Sequence, residues 1–217
     1  MKHWNFNQSL IFLVFGLCVA VVSGLAARAY WHKPSEHLLM RTEAISDQVR
    51  QAIDRETAFA AIVGNSLSER LYLEEICDLP AINAGVGRAR IVDVAEIGRI
   101  VRASGAAVRV LSIGVNDIAG GTDPEKFAAD YARIVGIYEP HVVIGVTGNA
   151  REPYSSIIRD LAGDAVYVEP LSSEFLQSDG VHYTSRGADR LVDMIGQACV
   201  QAPLAGVASE PGPATGA

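Results

Sequence analysis

Residues 58–69 read AFAAIVGNSLSE: an apolar run, a glycine, an asparagine, and then a serine followed three positions later by glutamate. An apolar run of this length ending in glycine fits a strand buried on both faces. Ser66-x-x-Glu69 then has the spacing of a capping box, so a helical segment should start there. Four more short apolar runs follow, at 81–84 (AINA), 107–113 (AVRVLSI), 141–147 (HVVIGVT) and 165–168 (AVYV). Amphipathic segments at about 67–76, 90–103, 124–138, 151–162 and 185–199 fill the gaps. Asp123-Pro124 is a helix start, an N-cap followed by proline at the first helical position. Strands alternating with helices in this way predict an α/β fold, a five-stranded parallel sheet covered on both faces. The ligand crevice of such a sheet lies beyond the carboxyl ends of its strands.

The residues at those ends are therefore the candidates for function. In Gly64-Asn65-Ser66, the serine stands at a strand-to-helix turn, where free helix N–H groups stabilise negative charge. The competing reading of Ser66 is an ordinary helix cap. The turn is not a G-x-S-x-G elbow, because Ser68 replaces the second glycine. Asn83-Ala84-Gly85-Val86-Gly87 follows the second strand. Glycine there lets a backbone N–H approach a ligand closely, as an oxyanion hole needs, or simply lets a loop turn. After the third strand, Gly114-Val115-Asn116-Asp117 offers the Asn116 amide, a neutral oxyanion donor, or else a polar turn. Asp179-Gly180-Val181-His182 precedes the last helix. Two intervening residues let the carboxylate reach Nδ1 of the imidazole, which orients the ring and stabilises the imidazolium. His3, His32 and His37 lie outside the expected domain, and His141, at the opposite end of its strand, reads as structural.

Taken in order, GNSLS, NAGVG, GVND and DGVH resemble the sequence blocks of the SGNH hydrolases, the GDSL-type esterases and lipases. The resemblance covers about residues 58–199. It implies a flavodoxin-like three-layer αβα sandwich with strand order 2-1-3-4-5. It also implies Ser66 as nucleophile with Asp179 and His182 completing a triad, and an oxyanion hole from the N–H groups of Ser66 and Gly85 with the Asn116 amide. One departure is Asn65, where the family has aspartate before the nucleophile, and it bears on the local turn geometry. The expected reaction is hydrolysis of a short acyl ester through an acyl-enzyme, needing a neutral His182 and so declining in acid. This chemistry requires neither a metal nor an organic cofactor. Alternative readings are an O-acetyltransferase acting on a glycan and a non-catalytic SGNH-like module. Short connections without a long lid do not indicate a bulky lipid pocket. Arg88 and Arg90 either face an anionic substrate or belong to a solvated helix start.

Outward from this domain, residues 3–27 carry no charge, and 10–27 read LIFLVFGLCVAVVSGLAA. Such a run is long enough to cross a bilayer as one helix, with Trp4 before it and Tyr30 and Trp31 after it at the headgroup level. Residues 1–31 are thus read as a membrane anchor, with a cleaved signal peptide as the rival because Ala27-Arg28-Ala29 loosely resembles an A-x-A site. The short tail ahead of the run favours export of the domain behind it, to the periplasmic or extracellular side. Residues 32–57 read as a helical stalk or a first helix packed on the domain, with Leu38, Ile45, Val49 and Ile53 at helical spacing. Residues 58–200 form the domain. Residues 201–217, rich in Ala, Gly and Pro with Glu210 the single charge, read as a disordered tail.

The 217 residues carry 18 Lys+Arg against 25 Asp+Glu. Beyond residue 30 the balance is 16 basic against 25 acidic, or −9, which argues against nucleic acid as a partner. The expected partners are an acyl ester or O-acylated carbohydrate and, through the N-terminal run, the membrane. Three cysteines are too few for a disulfide scaffold. Cys77 and Cys199 pair if the domain is exported, or stand as two free thiols.

Overall fold

A computed structural model of the chain describes residues 36–55, 57–148 and 152–202. The expected membrane anchor at 1–31 and all but the first residues of the expected tail at 201–217 lie outside the described residues. Among the described residues no helix is long and apolar enough to cross a membrane.

The described residues open with α1 (Glu36–Asp54) and then alternate strands and helices. These are β1 (Ala60–Gly64), α2 (Ser66–Glu69), β2 (Glu75–Ile76), β3 (Leu79–Gly85), α3 (Ala95–Ala103), β4 (Val108–Ser112), α4 (Val115–Ala119), α5 (Pro124–Tyr138), β5 (Val142–Ile144), α6 (Tyr154–Leu161), β6 (Val166–Val168) and α7 (Ser185–Gln201). The sheet order is β2-β3-β1-β4-β5-β6. Without β2, this is the expected 2-1-3-4-5 order with every pairing parallel.

The five-stranded, all-parallel expectation is corrected by β2, which makes the sheet six-stranded and mixed by pairing antiparallel with β3. The hairpin turns at Cys77 and Asp78, whose φ values are 56 and 60°. Two successive left-handed residues are what the tightest hairpin turns require, and Asn-Gly or Asp-Gly usually signals them. Neither pair is present here, and a two-residue strand is too short to show alternation. The same hairpin ends the expected helix at 67–76 early, leaving the single turn of α2.

Strand alternation decides which side chains meet which helices. Ala61 and Val63 of β1 share one core cluster with Ile45 and Val49 of α1, Ile97 and Val101 of α3, Phe127, Tyr131, Ile134 and Tyr138 of α5, and Ile158 of α6. Ala60 and Ile62 face the other cluster, with Leu67 of α2, Val115 of α4 and Leu191, Ile195 and Ala198 of α7. All five residues of β1 are buried, and burying a side chain such as Ile62 contributes about 1.5–3 kcal/mol. The hydroxyl of Tyr138 crosses to this strand and donates to the Ala61 carbonyl at 3.0 Å.

α1 packs on the core as a first helix of the domain, the second of the two expected readings of 32–57, rather than standing off it as a stalk. Ile45 and Val49, one helical turn apart, are its buried residues. Asp123 caps α5, its side chain accepting the Lys126 N–H, with Pro124 in the first turn. Cys77 and Cys199 form a disulfide with Cα atoms 5.7 Å apart, joining the turn after β2 to the last turns of α7.

Candidate active site

The sheet register assembles the site. Gly64 at the end of β1 pairs with Gly85 at the end of β3 and with Ser112 at the end of β4. Ser66 opens α2 after Gly64, Val86-Gly87 follows Gly85, and Asn116 lies in α4 after Ser112, so the three segments emerge side by side from one edge of the sheet.

At the first turn the helix cap is Asn65, not Ser66. The Asn65 side chain accepts the Leu67 N–H at 2.9 Å, which an aspartate in its place would also do. This corrects the capping-box expectation and leaves the Ser66 hydroxyl for another partner. Ser66 Oγ lies 3.1 Å from Nε2 of His182. Glu69, the other half of the expected box, instead meets His37 Nε2 at 3.1 Å. A side chain at Gly85 would collide with the Glu69 backbone, so glycine is required for β3 to approach α2.

His182 is held from its far side. Its Nδ1 lies 2.6 Å from Asp179 Oδ2, while Asp179 Oδ1 accepts the N–H groups of Val181 and His182 at 2.9 and 3.0 Å. These bonds hold the Asp179 carboxyl well below the usual carboxylate range, the bond to His182 most of all. The loop itself is closed by an isolated bridge between Leu176 and Tyr183 and by Thr147 Oγ1 donating to the Val181 carbonyl at 3.0 Å. Gly180, with φ 69°, supplies the left-handed turn between acid and base. Serine, imidazole and carboxylate thus stand in sequence, the arrangement that lets a serine lose its proton as it attacks a carbonyl.

Two of the three expected oxyanion donors have partners within the protein. Asn116 Nδ2 donates to the Ala89 carbonyl at 2.9 Å, leaving one amide hydrogen for a ligand. The Gly85 N–H donates to Asn83 Oδ1 at 3.0 Å, and the next amide, Val86, donates to the Gly64 carbonyl at 3.0 Å. Gly85 therefore lies beside the Ser66 turn with its N–H directed into the strand end. Arg90 begins a 3-10 turn at Ile91–Val94, its N–H donating to Asp93 Oδ2 at 2.8 Å, and Arg88 is solvent-exposed. Both arginines match the solvated helix start. His141 Nδ1 accepts the Arg109 N–H at 3.1 Å at the opposite end of the sheet, and burial, together with the neighbouring Arg109 charge, lowers its pKa.

Sequence reading passes over several residues that build this site. Asn83 Nδ2 donates to the carbonyls of Ser68 and Leu71, at 2.8 and 2.9 Å. Asp117 is buried and accepts the Ile91 N–H at 3.1 Å, with burial pushing its carboxyl up to about 6. Polar residues inside or directly after apolar strands are the available signal, since a buried polar group needs a partner. Tyr72, 85% exposed, has no sequence signal. Its ring stands at a cavity of about 410 Å³ lined also by Ser66, Arg70, Gln177, His182 and Asp189.

No protein-family model matches this sequence, and no curated protein is significantly similar to it. Solved structures do share its architecture. The esterase EstA from Pseudoalteromonas sp. superposes with a TM-score of 0.52 at 15% identity, over 66% of this chain and 97% of that one. A variant of Axe2, an acetyl xylan esterase from Geobacillus stearothermophilus, gives 0.51 at 14% identity over 65% and 96%. A GDSL-like lipase from Bacteroides thetaiotaomicron gives 0.51 at 16% identity over 72% and 98%. The chain shares the fold of these structures. It carries a serine just past the end of β1, and a histidine and an aspartate on the loop before α7, with the histidine within hydrogen-bonding reach of both others.

Proposed function

We propose that this chain is a serine esterase that hydrolyses short, acetyl-type acyl esters on carbohydrate. The observation that carries the reading is the Ser66–His182–Asp179 series, with 3.1 and 2.6 Å between partners, at the wall of an open cavity. In the reaction His182 Nε2 takes the Ser66 proton as Oγ bonds to the acyl carbon. The tetrahedral oxyanion is held by the Ser66 N–H and the free Asn116 amide hydrogen, and by the second loop if Gly85 releases Asn83. His182 then protonates the departing alcohol, and in the second half it deprotonates the water that cleaves the acyl-enzyme. A carbohydrate substrate is supported by the exposed ring of Tyr72 beside Arg70, Gln177 and Asp189, since aromatic and planar polar groups together suit a sugar face. The esterase fold neighbours include an acetyl xylan esterase.

Residues 1–31 act as a membrane anchor in this reading, with the domain exported. Support comes from the uncharged run and from the Cys77–Cys199 disulfide, which belongs to oxidising compartments. The deciding experiment treats the full chain with a serine-directed phosphonate and maps the adduct. Ser66 should be labelled, and Ser66→Ala should lose both labelling and aryl-acetate hydrolysis. Hydrolysis that survives in Ser66→Ala would end the proposal. Alkaline carbonate extraction tests the anchor: the full chain should stay with membranes, and a chain begun at residue 32 should not.

A further inference from the structure

α1 contributes no member of the triad, yet its side chains reach the backbone around it. Arg41 donates from Nη2 to the carbonyls of Asn83 and Gly85 at 3.1 and 2.9 Å, and from Nε to the Gly85 carbonyl at 3.3 Å. Its Nε also lies 3.8 Å from Glu69 Oε1, the carboxylate that His37 approaches from the same helix. A guanidinium is a rigid fork of donors, so two carbonyls and a carboxylate together fix its plane.

The groups it grips are those that set the second loop against the nucleophile helix. Gly85 is in register with Gly64, directly ahead of the nucleophile turn. Glu69 closes α2, three residues after Ser66. Gly85 is held on both sides, its N–H by Asn83 and its carbonyl by Arg41. Asn83 in turn holds α2 through Ser68 and the turn after it through Leu71. Arg41 is thus the link between α1 and the paired ends of β3 and α2.

We propose that Arg41 is a positioning residue for the nucleophile turn and the second loop, which makes α1 part of the catalytic unit. This rests on the reading of Ser66 as nucleophile for its effect on rate, though not for its effect on the loop. A displacement of about 1 Å at a reacting geometry costs about a hundredfold in rate, and Arg41 controls a displacement of that kind without touching the substrate.

The test compares the full chain with Arg41→Ala, Arg41→Lys and, as control on the same helix, Arg50→Ala, whose ion pair with Asp47 is exposed. Two readouts are taken on each: kcat and KM for a short aryl acetate, and hydrogen exchange of the amides at 83–91. Arg41→Ala should lower kcat by about 10- to 100-fold with KM within about threefold, and should speed exchange at 83–91. Arg41→Lys, which keeps the charge and loses the fork, should recover part of both, and it carries the comparison if Arg41→Ala does not fold. Arg50→Ala should match the unsubstituted chain. If the unsubstituted chain hydrolyses nothing while exchange still responds to Arg41, the positioning stands and the esterase reading fails. If kcat changes by less than about twofold and exchange at 83–91 is unaltered, Arg41 merely anchors α1 and the proposal is overturned.

Discussion

Gly85 donates its backbone N–H to Oδ1 of Asn83, two residues earlier in the same strand, at 3.0 Å. One side chain thereby closes the strand end, and its amide nitrogen spans to the carbonyls of Ser68 and Leu71. Replacing Asn83 by Ala removes all three bonds and leaves two carbonyls short of a donor. At about 1 kcal/mol each, the expected loss is about 2–4 kcal/mol, read from urea unfolding. Asn83→Asp keeps the acceptor for Gly85 but turns a carboxylate toward two carbonyls, so it should be at least as destabilising at neutral pH.

The Asn116 side chain has two amide hydrogens, and one is committed to Ala89. If the other meets the oxyanion, Asn116→Ala should lower kcat on a short aryl acetate by about 10²–10³. A loss below about threefold would remove Asn116 from that role and leave it as a fastener for the second loop.

Asp117, the next residue, titrates in the opposite sense to a paired carboxylate. Burial raises its folded value to about 6, against the opposing effects of the Ile91 N–H and the Arg90 charge. A raised carboxyl contributes stability that is complete below its unfolded value of about 3.9 and is lost as pH climbs through about 6. Between pH 4 and 7 the unsubstituted chain should therefore lose on the order of 1–3 kcal/mol that Asp117→Asn does not lose. The asparagine keeps an oxygen for the Ile91 N–H. Urea midpoints of the two proteins across that range should converge at low pH and separate at neutral pH, with the variant the more stable there.

The Cys77–Cys199 bridge joins residues 122 apart. Closing a loop of that length limits the unfolded chain, and removing it should cost about 2–5 kcal/mol. A paired Cys77→Ser, Cys199→Ser variant, or the reduced protein, should melt at lower temperature. Its phosphonate labelling rate below the melt should match that of the oxidised protein, because the bridge fastens the β2 hairpin and the far end of α7. A reduced protein with an unchanged melting temperature would show the bridge to be unimportant.

How far the sequence can be read varies with the range of the interaction. α5 is legible to the residue from Asp123-Pro124, because a cap and an N1 proline are local signals. The order of the parallel strands follows from the resemblance alone, and their parallel pairing from the alternation of strands and helices. β2 is not legible, because two residues in a hairpin turned by Cys77 and Asp78 show neither alternation nor a glycine. Glu69 has the spacing of half a capping box and serves another purpose. Its partners, His37 and Arg41, are about 30 residues away on a helix whose sequence fits a stalk as well as a packed first helix.

By itself the sequence determined the residue types and their order at the strand ends. It placed a serine and an asparagine each just beyond an apolar run, and an Asp-x-x-His pair just before the last helix, because burial patterns and turn preferences act over a few neighbours. Only the tertiary structure decided which hydrogen bonds those residues make. It assigned the helix cap to Asn65 and the Ser66 hydroxyl to His182, the Gly85 amide to Asn83, and the Gly85 carbonyl to Arg41. The reason is physical. A polar group takes whichever partner the fold brings within about 3 Å, and that choice is made by sheet register and packing between segments far apart in the chain.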